Sequence, residues 1–240
     1  ASVPTNVDDV IFDASSFAEG DATLELDMLV AACRHMDWTG VTGGPVVTGA
    51  AGREVIIKGD LTLDAAVEWA STGTLMFTGP GGKTIDTQGA SLGSYDVTID
   101  HPDGAWTLLN PLTMVSGYLT VARGTFDTGG QDLDIRRFIA DSGEPRTILL
   151  NDSTITLGQY WFMSNTDNLT FDAGTSTIVW NASNTLSFHG GDQVFHLLNV
   201  STESGMSTLQ GDPTFTAITK TGAGELHATG DLTVLDILWT

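Results

Sequence analysis

Carboxylates are the side chains best placed to do chemistry in this sequence. Asp8, Asp9, Asp96, Asp100 and Asp103, with a further group of Asp127, Asp132 and Asp134, sit among turn residues. Two carboxylates at a fixed separation are the machinery of glycoside hydrolysis. Asp is also a preferred turn former, because its side chain bonds the backbone two residues on, so neighbouring Asp residues arise here without catalysis. Asp127, Asp132 and Asp134 follow a Gly-rich turn and are the candidates for a Ca²⁺ site. Their spacing matches neither the EF-hand loop nor the Gly-Gly-x-Gly-x-Asp repeat, and solvated turn carboxylates are the expectation. No catalytic residue, metal ion or cofactor is assigned, and the chain is not expected to be an enzyme.

The other chemical candidates are weaker. His189 and His196 flank Asp192, but a strand–turn–strand segment fixes no shared face for them. His35 and Asp37 could share a strand face and lack a second pair of ligands. The run Gly79-Pro80-Gly81-Gly82-Lys83-Thr84 lacks the spacing and the following helix of a phosphate loop and reads as a turn. No Gly-x-Ser-x-Gly elbow is present. The single cysteine, Cys33, excludes an internal disulfide and a zinc site of Cys ligands. It lies in the apolar stretch 29–33 and is expected to be buried and inert. Asn151, Asn168, Asn181 and Asn199 begin glycosylation sequons, which chance produces easily in a chain rich in Asn, Ser and Thr.

Among six tryptophans, the adjacent Tyr160, Trp161 and Phe162 stand out. Side chains alternate along a strand, so three neighbouring aromatics cannot all point inward. At least one must lie at the surface, where a subunit interface is favoured over a glycan platform. The apolar stretch 232–239 brings a second candidate contact through Leu235, Ile237 and Trp239, expected to pair with another chain or with a continuation of this one.

Charge narrows the partners. The net charge is −21, from 30 acidic and 9 basic side chains, and the only basic doublet is Arg136 and Arg137. Nucleic acids and anionic membranes need clustered Lys and Arg, so neither is expected. Acidity of this kind serves solubility or a salty medium. No apolar run approaches the ~20 residues of a membrane-spanning helix.

The elements that must position these residues are short strands. Segments 54–58, 74–77, 97–99, 118–121, 147–150 and 177–180 are rich in β-branched and aromatic residues and bounded by Gly, Asp, Asn or Pro. Only 28–37 has helical spacing. Gly59-Asp60-Leu61-Thr62-Leu63 returns at 117–121 and 230–234. Phe12-Asp13-Ala14-Ser15 returns as Phe126-Asp127-Thr128-Gly129 and Phe171-Asp172-Ala173-Gly174, with Ile85-Asp86-Thr87-Gln88 as a weaker echo. The last three copies are spaced by about two units of ~20–23 residues, a solenoid period. The expected fold is therefore all-β: a parallel β-helix with three short strands per coil. Residues 1–40 are expected to form an N-terminal cap and 41–240 the solenoid. A β-sandwich is the competitor, but Asp103-Gly104 is the only hairpin dipeptide of the favoured type.

Several stretches resemble a repeat-rich family of β-helix proteins of bacteriophage virions and bacterial surfaces. The opening 3–16, followed by 33–40, resembles the first segment of such helices. Residues 117–130 are similar to their unit of strand, Gly-Thr-Phe-Asp and turn, and 173–180 and 188–200 to the next units. The resemblance implies an extracellular, non-enzymatic structural or adhesive component of a virion: a tail fibre, spike or capsid decoration. It implies other virion subunits as partners, a homo-oligomer with a trimer expected of an appendage, and a cell-surface glycan as receptor. The other readings are a passage domain of a bacterial surface adhesin and a polysaccharide-degrading β-helix enzyme. The resemblance carries over no catalytic residue.

Overall fold

The computed structural model describes residues 3–17, 22–70, 72–180 and 186–239. Within them the chain winds into a parallel β-solenoid of about 10 turns. Strands pair with their counterparts one coil away, in parallel, from Val10 opposite Met36 to Lys220 opposite Trp239. Hairpins would pair consecutive strands antiparallel, so the β-sandwich reading falls.

Each coil presents three faces. The first runs through Val10–Ile11, Gly81–Asp86, Arg146–Leu149 and Leu169–Asp172. The second runs through Thr23–Leu26, Val46–Gly49 and Thr177–Trp180. The third runs through Val30–Cys33, Arg53–Ile57, Gly73–Phe77 and Leu186–His189. Longer strands bend around corners and serve two or three faces, as Leu112–Asp127 does. Their registers shift at the bends, between Met114 and Tyr118 for example. At such a bend Gly124 takes φ +86°, and a Cβ there would stand 2.3 Å from the His101 carbonyl oxygen. Only glycine meets both demands.

The interior follows from period-two alternation. On the third face Ala31, Val55, Leu75, Val97, Leu119, Phe138, Trp161, Phe188 and Leu209 lie opposite one another from coil to coil. From Val55 to Leu209 these side chains are buried. Phe138 stacks on Trp161 with centroids 4.0 Å apart, and Trp161 on Phe188 at 5.7 Å. Stacking like on like gives each ring a partner above and below, and apolar burial supplies most of the driving force.

The recurring Phe-Asp motif is the corner between the first and second faces. Asp13, Asp37, Asp86, Asp127 and Asp172 each accept a hydrogen bond from the backbone N–H two residues on, at 2.8–3.2 Å. In the coil after Asp86 stands Asn110, and after Asp127 stands Asn151. Their amides donate to those carboxylates at 2.5 and 2.7 Å, so two anions do not stack directly. From Asp86 to Asp172 the two-unit spacing of the motif is this alternation of Asp and Asn corners.

One expectation needs correction. Residues 28–37 are strands, Val30–Cys33 and Met36–Asp37, and no helix occurs among the described residues. Pairing with Arg53–Ile57 overrides local helical spacing. Coil-to-coil pairing already begins at Val10, opposite Met36, within the stretch 1–40. There Val3 and Pro4 lie beside an apolar pocket of about 210 Å³ at the open end of the first coil. Cys33 reaches this pocket. Burial, reinforced by Asp9, pushes its thiol up to about 11, which makes it a poor nucleophile at neutral pH.

A candidate binding groove on the third face

While Trp161 enters the core, its neighbours in the strand Thr154–Phe162 point outward. Tyr160 lies one coil above Arg137, and Arg137 one coil above Tyr118. Strand spacing of ~4.8 Å sets these side chains at stacking distance. The guanidinium carbon of Arg137 is 4.2 Å from the Tyr118 ring centroid and 4.4 Å from that of Tyr160, a double cation–π sandwich. Its Nε donates to Gln159 Oε1 at 2.5 Å. Among the described residues no carboxylate is in ion-pair contact with Arg137. Asp96, next below Tyr118, accepts the Tyr118 backbone N–H at 2.8 Å. Burial raises its pKa, against the opposing pull of that bond and of Arg137.

A parallel outward column holds Ile139, Phe162 and His189. The Phe162 and His189 rings lie 4.7 Å apart, tilted by 56°. Between the columns is an open groove of about 510 Å³ lined by Ile139, Asp141, Tyr160, Phe162, Ser187 and His189. Asp141 is held in place by the Asn165 backbone N–H, 2.6 Å away. Burial lowers the pKa of His189, with Asp141 pulling the other way.

Tyr160 and Phe162 therefore line the groove together. Trp161 does not belong to a candidate interface: it is wholly buried within its own chain, because alternation sends it inward. Leu235 and Ile237 lie far along the chain in Thr233–Trp239, 74% and 48% exposed. Ile237 stands opposite the buried Ile218 and continues the core ladder, whereas Leu235 points outward. The backbone of Trp239 pairs with Lys220, and its side chain lies outside the described residues. The two sets do not form one patch.

The Ca²⁺ candidates separate as well. Asp127 is a corner residue. Asp132 accepts the Thr154 N–H at 2.8 Å. Asp134 projects outward from the second face between Thr113 and Thr156. Among the described residues no group of three or more His, Cys, Asp or Glu could hold a metal ion. His35 Nδ1 accepts the Asp60 N–H at 2.9 Å.

Sequence reading missed Tyr118 and Ile139, noticed Arg137 only for its charge and weighed His189 only as a weak partner of His196 and Asp192. The available signal was coil spacing: Arg137 occupies the same place in its coil as Tyr160 does in the next. Chemically, the groove offers a flat aromatic wall, one carboxylate, two hydroxyls and an imidazole, with the Arg137 cation beside it against Tyr160. That is a binding inventory. Asp141 alone among its lining residues is a carboxylate, half of the pair that glycoside hydrolysis requires. Searched against protein-family models, curated proteins and solved structures, the chain matches none. The fold places it in the class of parallel β-solenoids.

Proposed function

We propose that this chain is a non-enzymatic structural or adhesive component of a bacteriophage virion, a tail fibre, spike or capsid decoration that presents a rigid β-helix. The observation that carries the reading is the unbroken core ladder from Val55 to Leu209, which makes a stiff rod whose outward residues are free for recognition. A net charge of −21 keeps such rods soluble, and the resemblance of 3–16, 33–40, 117–130, 173–180 and 188–200 to virion and surface repeats supplies the setting. Its partners are other virion subunits in a homo-oligomer, with a cell-surface glycan as receptor.

Particles purified from the source culture test this by peptide mass spectrometry and immunogold labelling. The chain is expected on the particle at fixed stoichiometry, in repeated copies. Recovery from the bacterial envelope instead would replace this reading with that of a surface adhesin.

A further inference from the structure

Resting on the adhesive part of that reading, we propose that the groove between Tyr160, Phe162 and His189 binds an uncharged oligosaccharide. A pyranose ring has an apolar C–H face and a rim of hydroxyls. Phe162 supplies a flat apolar surface for the first. Asp141, Ser187 and His189 stand around it with the acceptors and donors that suit the second. Arg137, clamped between Tyr118 and Tyr160, extends the platform along the coil stack, and only its Nε is engaged by Gln159. These groups project from strands locked by their neighbours, so little freedom is lost on binding.

Size and charge select the occupant. About 510 Å³ falls within the ~300–1,000 Å³ of small-ligand sites. The acidity of the chain repels a uronate, sialylated or sulfated glycan. A stable protein interface would bury ~800 Å² per partner around an apolar centre. Here the surface is concave, and Asp141, Ser187 and His189 interrupt its apolar side chains.

Calorimetric titration of the full chain with cellohexaose, maltohexaose and N-acetylchitohexaose, and with hexagalacturonate as the anionic probe, tests the proposal. At least one neutral probe should bind and hexagalacturonate should not. Phe162→Ala should weaken binding about five- to tenfold while thermal unfolding shows the fold retained. Thr156→Ala, on the outward side of the second face, should leave binding unchanged. Failure of all three neutral probes, an unaltered affinity in Phe162→Ala, or preference for hexagalacturonate overturns it. Light scattering separates the remaining occupant: if Phe162→Asp dissociates an oligomer of the native chain, the groove seats a second copy and the sugar proposal falls. Loss of the sugar site leaves the virion reading to the particle experiment, and absence from particles would leave the sugar site intact.

Discussion

Two sides of one strand divide the labour of this molecule. Trp161 faces inward between Phe138 and Phe188, with no exposed surface. Tyr160 and Phe162, its immediate neighbours, face outward beside Arg137, Ile139 and His189. The inner side is uniformly apolar, aliphatic or aromatic at every coil, because water exclusion rewards any close-packed apolar stack. The outer side varies from coil to coil, Asp96 to Tyr118 to Arg137 to Tyr160, because nothing in the packing dictates it. The same backbone register thus yields a repeated apolar interior and a free exterior.

The sharpest way to break the contrast is Trp161→Ala. It empties a site bounded by rings above and below and should cost about 3–5 kcal/mol, read from the midpoint of denaturant unfolding. An effect under 1 kcal/mol would mean that the inner stack does not hold the coils together. At the corner, Asp127→Ala removes the acceptor for both the Gly129 N–H and the Asn151 amide. About 1 kcal/mol of stability is expected to go, with Asn151→Ala adding little more in the double variant. On the outer side, Tyr160→Ala should cost no more than about 1 kcal/mol, the worth of one exposed cation–π contact. A loss as large as that of Trp161→Ala would erase the distinction between the two sides.

The smallest effect is a pH slope. Burial keeps His189 below its ordinary 6.5 in the folded chain. Between that lowered value and 6.5 the unfolded chain binds a proton that the folded chain refuses. Stability should therefore fall as pH drops through about 6.5, and His189→Gln should flatten that part of the curve. Unfolding midpoints followed from about pH 7.5 to 5.5 in both proteins give the comparison. A slope unchanged by the substitution would place His189 in open solvent.

The architecture was legible in the sequence because its signals are local and repeated. Short β-branched strands and the Phe-Asp corners at 12–13, 126–127 and 171–172 needed only spacing to be read, and 85–86, 126–127 and 171–172 fall two coils apart on one corner as the period requires. The segment 28–37 misled because its helical spacing is short, while the pairing of Ala31 with Val55 is a contact between coils. The groove was half legible. Alternation required one of Tyr160, Trp161 and Phe162 to face outward, and two do. Which residues join them depends on the offset between coils of unequal length, a quantity that no window of sequence contains. Arg137 was noticed only for its charge, since its tyrosine neighbours lie one coil away in either direction.

On the second face Leu112, Leu133 and Ile155 lie opposite one another from coil to coil, which makes length an adjustable trait. Removing residues 133–154 would set Ile155 opposite Leu112 and return every inward side chain to an inward place, so the cut would heal. Duplicating the same segment would lengthen the rod by one strand spacing, ~4.8 Å, without asking any other residue to change. Reach from a surface can therefore be altered in fixed increments, and a duplicated coil carries a groove such as that at Phe162 farther without rebuilding it.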